Sequence, residues 1–186
     1  MVKEQPKIYL TSDLHLGHKA MIEQKFRPFK TLNEMNLLII RNYNNTVADD
    51  KCYVLGDVAF GKYKKDYTLN LNNAMFVKGN HDPNSLTNIQ SMIIKFKGKT
   101  FELVHNSVDA TLCADYVIHG HIHKTGDRRF AENIKQYNDY IWYDEHGNIF
   151  YNVNIEFHRY KPVLINNILG ELQKVEKELE LDKLSL

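Results

Sequence analysis

The sequence is short of the residues that mark secreted, fibrous or membrane-inserted proteins. Its 186 residues include only 2 cysteines, 4 prolines and 1 tryptophan. Two cysteines make no disulfide framework, so we interpret Cys52 and Cys113 as small core residues in a reducing compartment. No apolar run approaches the length of a membrane span, and Met1 to Pro6 carry no hydrophobic stretch of signal-peptide length. The expectation is a cytoplasmic protein with no membrane partner.

An excess of charge of either sign is also missing. The sequence has 24 Lys and Arg residues against 23 Asp and Glu residues, a net charge of +1. This balance gives no bulk attraction to nucleic acid, so a small phosphorylated substrate would have to be held by a local site. With 43% hydrophobic residues, residues 1–186 are expected to form a single domain with a substantial core. A monomer and a homodimer both remain open, as does nucleic acid as a partner.

Polar side chains follow short apolar segments at five places in the chain. Each segment has the length and composition of a strand, and each ends in Asp, Asn or His. Groups at strand ends on one side of an α/β sheet gather into one site. The residues concerned are Asp13 and His15 after residues 8–10, Asp57 after 52–55, Asn80, His81 and Asp82 after 74–77, His105 after 101–104, and His119, His121 and His123 around the end of 114–118.

These residue types are the ligands of a dinuclear metal centre. Two cations about 3.5–4 Å apart need a shared carboxylate and enough ligands of mixed charge to hold both. Imidazole, carboxylate and amide donors favour Mn, Fe, Zn or Ni over Mg or Ca. We therefore predict two divalent metal ions, with Mn favoured, and phosphate esters as the target of the water they activate. The predicted ligands are Asp13, His15, Asp57, Asn80, His105, His121 and His123.

Two residues near Asp13 are candidates for substrate binding. Arg27 lies in an ordered loop at residues 25–29, and its guanidinium suits either a phosphate or the carbonyls of that loop. His18 either contacts substrate or forms a hydrogen bond within its loop.

Further elements follow from local patterns. Thr31 and Glu34 make a capping box that begins a helix. Asp82 before Pro83 is typical of a helix cap. The remaining expectations are a surface helix from Lys62 to Asn73, a hairpin of Ser91 to Phe96 with Thr100 to Val104, a polar rim loop from Lys124 to Asp139, and an amphipathic helix at about 163–182 that packs on its own domain or forms a dimer contact.

The ordered set of motifs resembles the calcineurin-like metallophosphoesterase superfamily. The motifs cover the chain from residue 8 to about 123, and softer matches resemble small bacterial and phage phosphoesterases. The resemblance implies an α/β fold, a four-layer α/β/β/α sandwich of two mixed sheets flanked by helices. The motifs are Asp13-x-His15, Gly56-Asp57, Gly79-Asn80-His81-Asp82, His105 and Gly120-His121-x-His123, and the softer matches are Gly17-His18, Arg27-Pro28-Phe29, residues 34–36, residues 152–156 and Lys161-Pro162.

The resemblance also implies residue roles. Asp57 would bridge the metals, and His81 would not be a ligand. Instead, His81 would meet the phosphoryl group and protonate the leaving oxygen, a role suited to an imidazole that titrates near neutrality. The same resemblance assigns Asp13, His15 and His123 to one metal and Asn80, His105 and His121 to the other.

The sequence departs from relatives in three respects. Protein Ser/Thr phosphatases of the superfamily carry Asp and Arg shortly after the bridging aspartate, where this chain has Phe60 and Gly61. A protein phosphatase is therefore disfavoured. Asn106 follows His105, where relatives have glycine or an aromatic residue followed by proline. His119 lies outside the pattern, either as a hydrogen-bonding neighbour of the ligands or as a buried histidine.

The combined prediction is a metal-dependent hydrolase of the phosphodiesterase type. A metal-bridging hydroxide would attack the phosphorus of a small phosphodiester or nucleotide-like phosphate. A phosphomonoesterase would use the same residues. A nuclease acting on RNA or DNA is a weaker alternative because charge is balanced and no aromatic-basic tract is present. A metal-stabilised binding or scaffold module is the non-enzyme alternative, and the intact ligand set argues against it.

Overall fold

The fold is built from two mixed β-sheets. The computed structural model describes residues 6–61, 64–124 and 134–184. The strands in these ranges are β1 (Ile8–Thr11), β2 (Lys51–Leu55), β3 (Ala74–Val77), β4 (Ser91–Phe96), β5 (Lys99–Val104), β6 (Tyr116–His119), β7 (Lys135–Gln136), β8 (Ile141–Tyr143), β9 (Ile149–Asn152) and β10 (Val163–Leu164).

One sheet has the strand order β10-β1-β2-β3, and the other has the order β4-β5-β6-β9-β8-β7. In the first sheet β1, β2 and β3 are parallel, and β10 is antiparallel to β1. In the second sheet β5, β6 and β9 are parallel, whereas the outer pairs are antiparallel. The predicted hairpin of β4 and β5 is therefore confirmed. The parallel strands place the loops that follow β1, β2, β3, β5 and β6 at the carboxyl ends of the sheets.

Alternating side chains of the strands divide the core into layers. Leu10 and Leu55 from the first sheet join Phe101 and Ile118 from the second in one hydrophobic cluster between the sheets. The helix expected near 163–182 is α4 (Ile165–Leu184), and its buried side chains belong to the same cluster. These buried side chains are Ile165, Ile168, Leu169, Leu172 and Val175.

Helix α2 (Leu32–Val47) covers the other face of the four-stranded sheet. Its start is the predicted one, because Thr31 Oγ1 accepts a hydrogen bond from Glu34 N at 3.1 Å. Glu34 Oε2 accepts in turn from Lys30 N at 3.0 Å. The buried face of the helix carries Met35, Ile39, Tyr43 and Val47, which pack on Cys52 and Val54 of β2.

The outer face of the six-stranded sheet carries a smaller cluster around Val117, Trp142 and Phe150. In the described ranges, its members come from strands and loops. Two short helices, α1 (Ala20–Glu23) and α3 (Lys64–Leu69), complete the helical elements of those ranges. The surface helix predicted from Lys62 to Asn73 ends earlier than expected, at Leu69. Residues 125–133 of the predicted rim loop lie outside the described residues, and the loop prediction is wrong at Lys135–Gln136, which form β7 by pairing with β8. No described helix has both the length and the apolar character needed to cross a bilayer.

Candidate metal centre

The site lies where loops from both sheets meet. The segment after β9 forms backbone hydrogen bonds to both sheets at this point: the Val153 carbonyl accepts from Ser12 N of the first sheet at 3.1 Å, and Val153 N donates to the His119 carbonyl of the second at 2.8 Å. Because β9 and its extension contact both sheets, the loops after β1 and β6 are held side by side.

Four non-glycine residues of these loops adopt left-handed backbone conformations. The φ angles are 55° at Asp13, 50° at His15, 53° at Asp57 and 66° at His121. Such conformations cost about 1–3 kcal/mol each where surrounding structure must impose them, and they concentrate at functional sites. All four residues were predicted metal ligands, so the strained positions coincide with the predicted site.

The first group of side chains contains Asp13, His15 and His123. Asp13 Oδ1 lies 3.7 Å from His15 Nε2 and 3.7 Å from His123 Nε2. Within the described residues, Asp13 Oδ1 and His15 Nε2 are buried and have no hydrogen-bond partner. Two converging lone-pair atoms that are buried without a partner fit a cation between them.

The second group forms around His105. Its Nε2 lies 3.7 Å from Asp57 Oδ1, 3.0 Å from Asn80 Oδ1 and 3.2 Å from His121 Nδ1. Asp13, Asp57 and His105 also present ligand atoms within 4.8 Å of one another. The arrangement therefore brings the side chains predicted for the second metal to one point.

The Asp57 carboxylate lies between the two groups. Its Oδ2 is 3.7 Å from His15 Nε2, and its Oδ1 is 3.7 Å from His105 Nε2. One oxygen therefore faces each group, which is the geometry that a bridging carboxylate requires.

Hydrogen bonds select the ring nitrogen that each imidazole presents. His105 Nδ1 donates to the Leu55 carbonyl at 2.8 Å, and His123 Nδ1 donates to Glu156 Oε1 at 2.8 Å. The Nε2 atoms of both rings therefore carry lone pairs and face the site. Neighbours of this kind orient metal-binding imidazoles and raise their basicity.

Burial and charge shift the titration of the central groups in different directions. Burial opposes ionisation of Asp13, yet contacts with His15, His105 and His123 lower the pKa of its carboxyl overall. Burial lowers the pKa of His15 to about 4 and raises the pKa of Asp57. The site thus combines two buried carboxylates with an imidazole, that of His15, whose neutral form is favoured by burial, a donor set that a divalent cation would balance.

Two glycines let the backbone come close to these carboxylates. A Cβ at Gly79 would collide with Asp57 N and Oδ1, and a Cβ at Gly120 would collide with Asp13 Oδ2 and with Ser12 Oγ. The motif glycines are therefore required for packing against the ligand side chains.

His81 lies at the rim of the site. Its side chain is 52% exposed, and its Nε2 is 4.0 Å from Asp57 Oδ2. His81 N donates to Asp57 Oδ1 at 3.1 Å, which fixes the backbone of the loop. The ring of Phe60 lies 5.1 Å from that of His81 and stacks on His18 at 3.9 Å. Phe60 thus stands at the position where protein Ser/Thr phosphatases carry an aspartate after the bridging aspartate.

The structure corrects the assignment of Arg27 to substrate. The Arg27 side chain is buried, and its Nε donates to Glu156 Oε1 at 2.8 Å. Its terminal nitrogens donate to the carbonyls of Leu14 at 2.9 Å and Asp13 at 2.6 Å. A guanidinium enclosed by these acceptors cannot reach a ligand in the cleft, so Arg27 holds the loop that carries Asp13.

His18 is partly buried and lies beside His15, with 2.9 Å between their Nδ1 atoms. One of the two nitrogens must donate to the other. If His15 Nε2 is to present a lone pair to the site, His15 Nδ1 is the donor. His18 then carries its own proton on Nε2. The loop hydrogen bond considered for His18 is therefore present, and the ring edge bearing Nε2 stays available for a ligand.

Two acidic residues have functions that the sequence interpretation missed. Asp82 was expected to cap a helix, but no helix follows it. Its carboxylate instead accepts hydrogen bonds from Asp57 N at 2.8 Å, Gly79 N at 2.9 Å and Val58 N at 3.0 Å. Glu156 had been given no role, although it lies in one of the softer motifs. Glu156 contacts Arg27 and His123, and both residues are too distant in the sequence for local patterns to reveal these contacts.

Asn106 and His119, the two other residues that depart from the pattern of relatives, have structural explanations. Asn106 caps a short 3-10 turn at Ser107–Asp109, where its side chain accepts from Val108 N. His119 is fully buried, and its Nδ1 contacts the Gly120 carbonyl at 2.8 Å. Burial lowers the pKa of His119 to about 4. The structure therefore agrees with the interpretation of His119 as a buried histidine.

Comparisons with known proteins identify one similar sequence and several similar structures. No family model matches the chain. The uncharacterized protein MJ1445 of Methanocaldococcus jannaschii is 34% identical over 176 residues, covering 90% of this chain and 92% of that protein. The crystal structure of the protein of unknown function AQ665 from Aquifex aeolicus has a TM-score of 0.65 at 22% identity, with 89% of this chain and 99% of that chain covered. The fold is therefore shared with AQ665. Yfce, a phosphoesterase from E. coli, matches with a TM-score of 0.43 at 14% identity over 80% of this chain and 78% of its own.

Proposed function

We propose that the chain, which belongs to one family with MJ1445, is a metal-dependent phosphoesterase of the calcineurin-like metallophosphoesterase superfamily that acts on a small phosphodiester. The observation that carries this proposal is the convergence of seven predicted ligands from five loops on one cleft. Two of the converging atoms, Asp13 Oδ1 and His15 Nε2, are buried without a hydrogen-bond partner in the described part of the chain.

The residues present fit two divalent cations. Asp13, His15 and His123 would hold one, and His105, Asn80 and His121 would hold the other, with Asp57 between them. Nitrogen and oxygen donors in this mixture suit Mn, Fe, Zn or Ni. Bound ions would supply an acidified water and positive charge for a phosphoryl group. The protein itself supplies the fixed positions of the donors and the loops that enclose them.

His81 is the residue that we propose as the proton donor. It is exposed enough to meet a substrate, and its backbone is held by the Asp57 carboxylate. An imidazole at this rim would protonate the departing alcohol oxygen. His18 Nε2 would donate a hydrogen bond to a phosphate oxygen, since the Phe60 ring contacts both the His18 and the His81 imidazoles. Arg27 would not contact the substrate; it would only hold the backbone that carries Asp13.

Hydrolysis of bis(p-nitrophenyl) phosphate with added Mn tests the proposal. We expect turnover that disappears with EDTA and falls strongly with Asp57→Asn. His81→Ala should lower kcat by roughly a hundredfold or more, the usual contribution of a general acid. That loss should be larger for a diester with an alkyl leaving group, because a poor leaving group depends more on protonation.

The matched control for His81 is His146→Ala, since the His146 side chain is 77% exposed in a distant turn. This variant should retain wild-type rates. Turnover that is unchanged by both Asp57→Asn and His81→Ala would refute the proposed roles. A preference for p-nitrophenyl phosphate over the diester would instead indicate a phosphomonoesterase.

A further inference from the structure

A polar groove extends from the His105 side of the site. It has a volume of about 510 Å³ and includes Asn80, His105 and His121 in its lining. Ligand pockets commonly measure roughly 300–1,000 Å³, so the groove is large enough for a group the size of a sugar or a nucleoside. It begins at the proposed metal ligands and continues away from them.

The rest of the lining lies mainly on two sides of the groove. One side has Lys78 after β3 with Gln90 and Ser91 at the start of β4, and the other has Asn106 and Asp109 after β5. Gly79, Asp82 and Val104 complete the lining. Lys78 offers only hydrogen-bond donors, Asp109 offers only acceptors when ionised, and the glutamine, serine and asparagine side chains offer both. A lining of this kind matches a substituent rich in hydroxyl and carbonyl groups and gives little to an apolar one.

Both sides of the groove are held in place by hydrogen bonds. Lys78 N donates to the Ile89 carbonyl at 2.7 Å, which ties the end of β3 to the segment before β4. On the other side, Asp109 N donates to the Asn106 carbonyl at 3.0 Å. The groove therefore has a formed shape, as a specific subsite requires.

We propose that this groove is the subsite for a sugar-like substituent on the phosphate, with Asp109 accepting hydrogen bonds from its hydroxyls and Lys78 donating to its oxygens. This inference rests on the proposed function, since it names the class of phosphodiester that the same site takes. The substrate is then a sugar-bearing or nucleoside-bearing ester, in which the sugar fixes the phosphate against His105 and Asn80.

The test compares two esters with the same leaving group. Thymidine 5′-(p-nitrophenyl phosphate) carries a sugar, and methyl p-nitrophenyl phosphate does not. We expect the ratio of kcat/KM for the thymidine ester over the methyl ester to exceed ten in the wild type. A lost hydrogen bond to a charged group corresponds to about a tenfold change or more, so Asp109→Asn and Lys78→Gln should each lower this ratio about tenfold.

The matched control is Asp139→Asn, an exposed aspartate that does not line the groove. It should leave the ratio unchanged. A ratio near one in the wild type, or a ratio that Asp109→Asn and Lys78→Gln leave unaltered, would overturn the subsite.

A binding experiment separates this inference from the proposed function. Thymidine 5′-phosphate titrated into the metal-free protein should shift the backbone amide NMR signals of Ser91, Asn106 and Asp109, whereas methyl phosphate should not. Nucleotide binding that Asp109→Asn weakens, in a protein that hydrolyses neither ester, would support the subsite and refute the phosphoesterase. Hydrolysis of both esters at equal rates, without these signal shifts, would refute the subsite alone.

Discussion

Glu156 accepts a hydrogen bond from Nδ1 of His123 at 2.8 Å. The same carboxylate oxygen accepts from Nε of Arg27, also at 2.8 Å. Arg27 in turn donates to the carbonyls of Asp13 and Leu14. One buried carboxylate thus orders an imidazole of the candidate metal centre and, through the arginine, the backbone of the first aspartate.

Glu156→Gln is expected to weaken metal binding. The amide can still accept one hydrogen bond, but it removes the charge that polarises the His123 ring and balances Arg27. Loss of such a neighbour commonly lowers metal affinity about 10–100-fold. Isothermal titration with Mn would measure the change.

The control for this variant is Glu176→Gln, which removes another carboxylate paired to a cation, Lys99, on the surface. It should leave Mn affinity at the wild-type value. Equal Mn affinities for wild type and Glu156→Gln would contradict the orienting role.

The link through Glu156 shows where sequence-based prediction ends. Glu156 and Arg27 are 129 residues apart in the chain, and no periodicity or spacing relates them. The arginine alone was compatible with substrate or with loop carbonyls. Only the packing of the loop after β9 against the loop after β1 decides between those interpretations.

Mn is expected to stabilise the folded chain. Asp13 Oδ1 and His15 Nε2 are buried lone-pair atoms without partners among the described residues, so a bound cation would relieve an unfavourable arrangement. At a hundredfold excess over Kd, binding adds about 2.7 kcal/mol, which corresponds to a rise in Tm of roughly 5–10 °C for a chain of this size. Differential scanning fluorimetry with and without Mn measures this shift.

The comparison variant for the Mn shift is Asp13→Asn, which retains the shape of the side chain and removes its charge. Removing the charge also changes the Tm of the metal-free protein. The quantity to compare is therefore the rise in Tm that Mn causes in each protein. That increase should largely vanish in the variant. A full increase in Asp13→Asn would exclude Asp13 as a ligand.

Asp82→Asn is expected to destabilise the fold by about 1–3 kcal/mol. Its two carboxylate oxygens accept three backbone N–H groups, those of Asp57, Val58 and Gly79. An asparagine amide turns an NH₂ group toward at least one of these donors, and a buried donor left unpaired costs about 1–3 kcal/mol. Urea denaturation gives the free energy of unfolding, and Asp139→Asn on the surface should change it by less than about 0.5 kcal/mol.

Asp82 also marks the limit of local signals. Asp before Pro predicts a helix start, and the neighbouring Gly-Asn-His motif predicts a ligand loop. The strands before the polar groups, the Thr31 cap and the convergence of polar strand ends were predicted correctly from such patterns, because each depends on residues close in sequence or on the regular direction of parallel strands. The short strands β7 and β10 were not predicted. Two backbone donors to the Asp82 carboxylate, Asp57 N and Val58 N, lie in the loop after β2, some 25 residues earlier. Together with Gly79 N, they outcompete the cap.

His158 is expected to make the fold sensitive to acid. Its ring packs between Tyr140 and Tyr151, and Nε2 donates to the Asn152 carbonyl at 2.7 Å. Burial lowers the pKa of His158 from 6.5 to about 4. Between these values the unfolded chain binds a proton that the folded chain does not, so this contribution to stability is complete above pH 6.5 and is lost as the pH falls toward 4.

His158→Gln keeps an N–H donor and removes the titration. Because the ring is partly accessible, we expect that between pH 7 and pH 4.5 the wild type loses ~2 kcal/mol more unfolding free energy than the variant. The carboxylates and other histidines titrate alike in both proteins, so the difference between the two urea-denaturation series isolates His158. Parallel pH dependences would show that the imidazole is protonated in the folded state and that its burial has no role in acid unfolding.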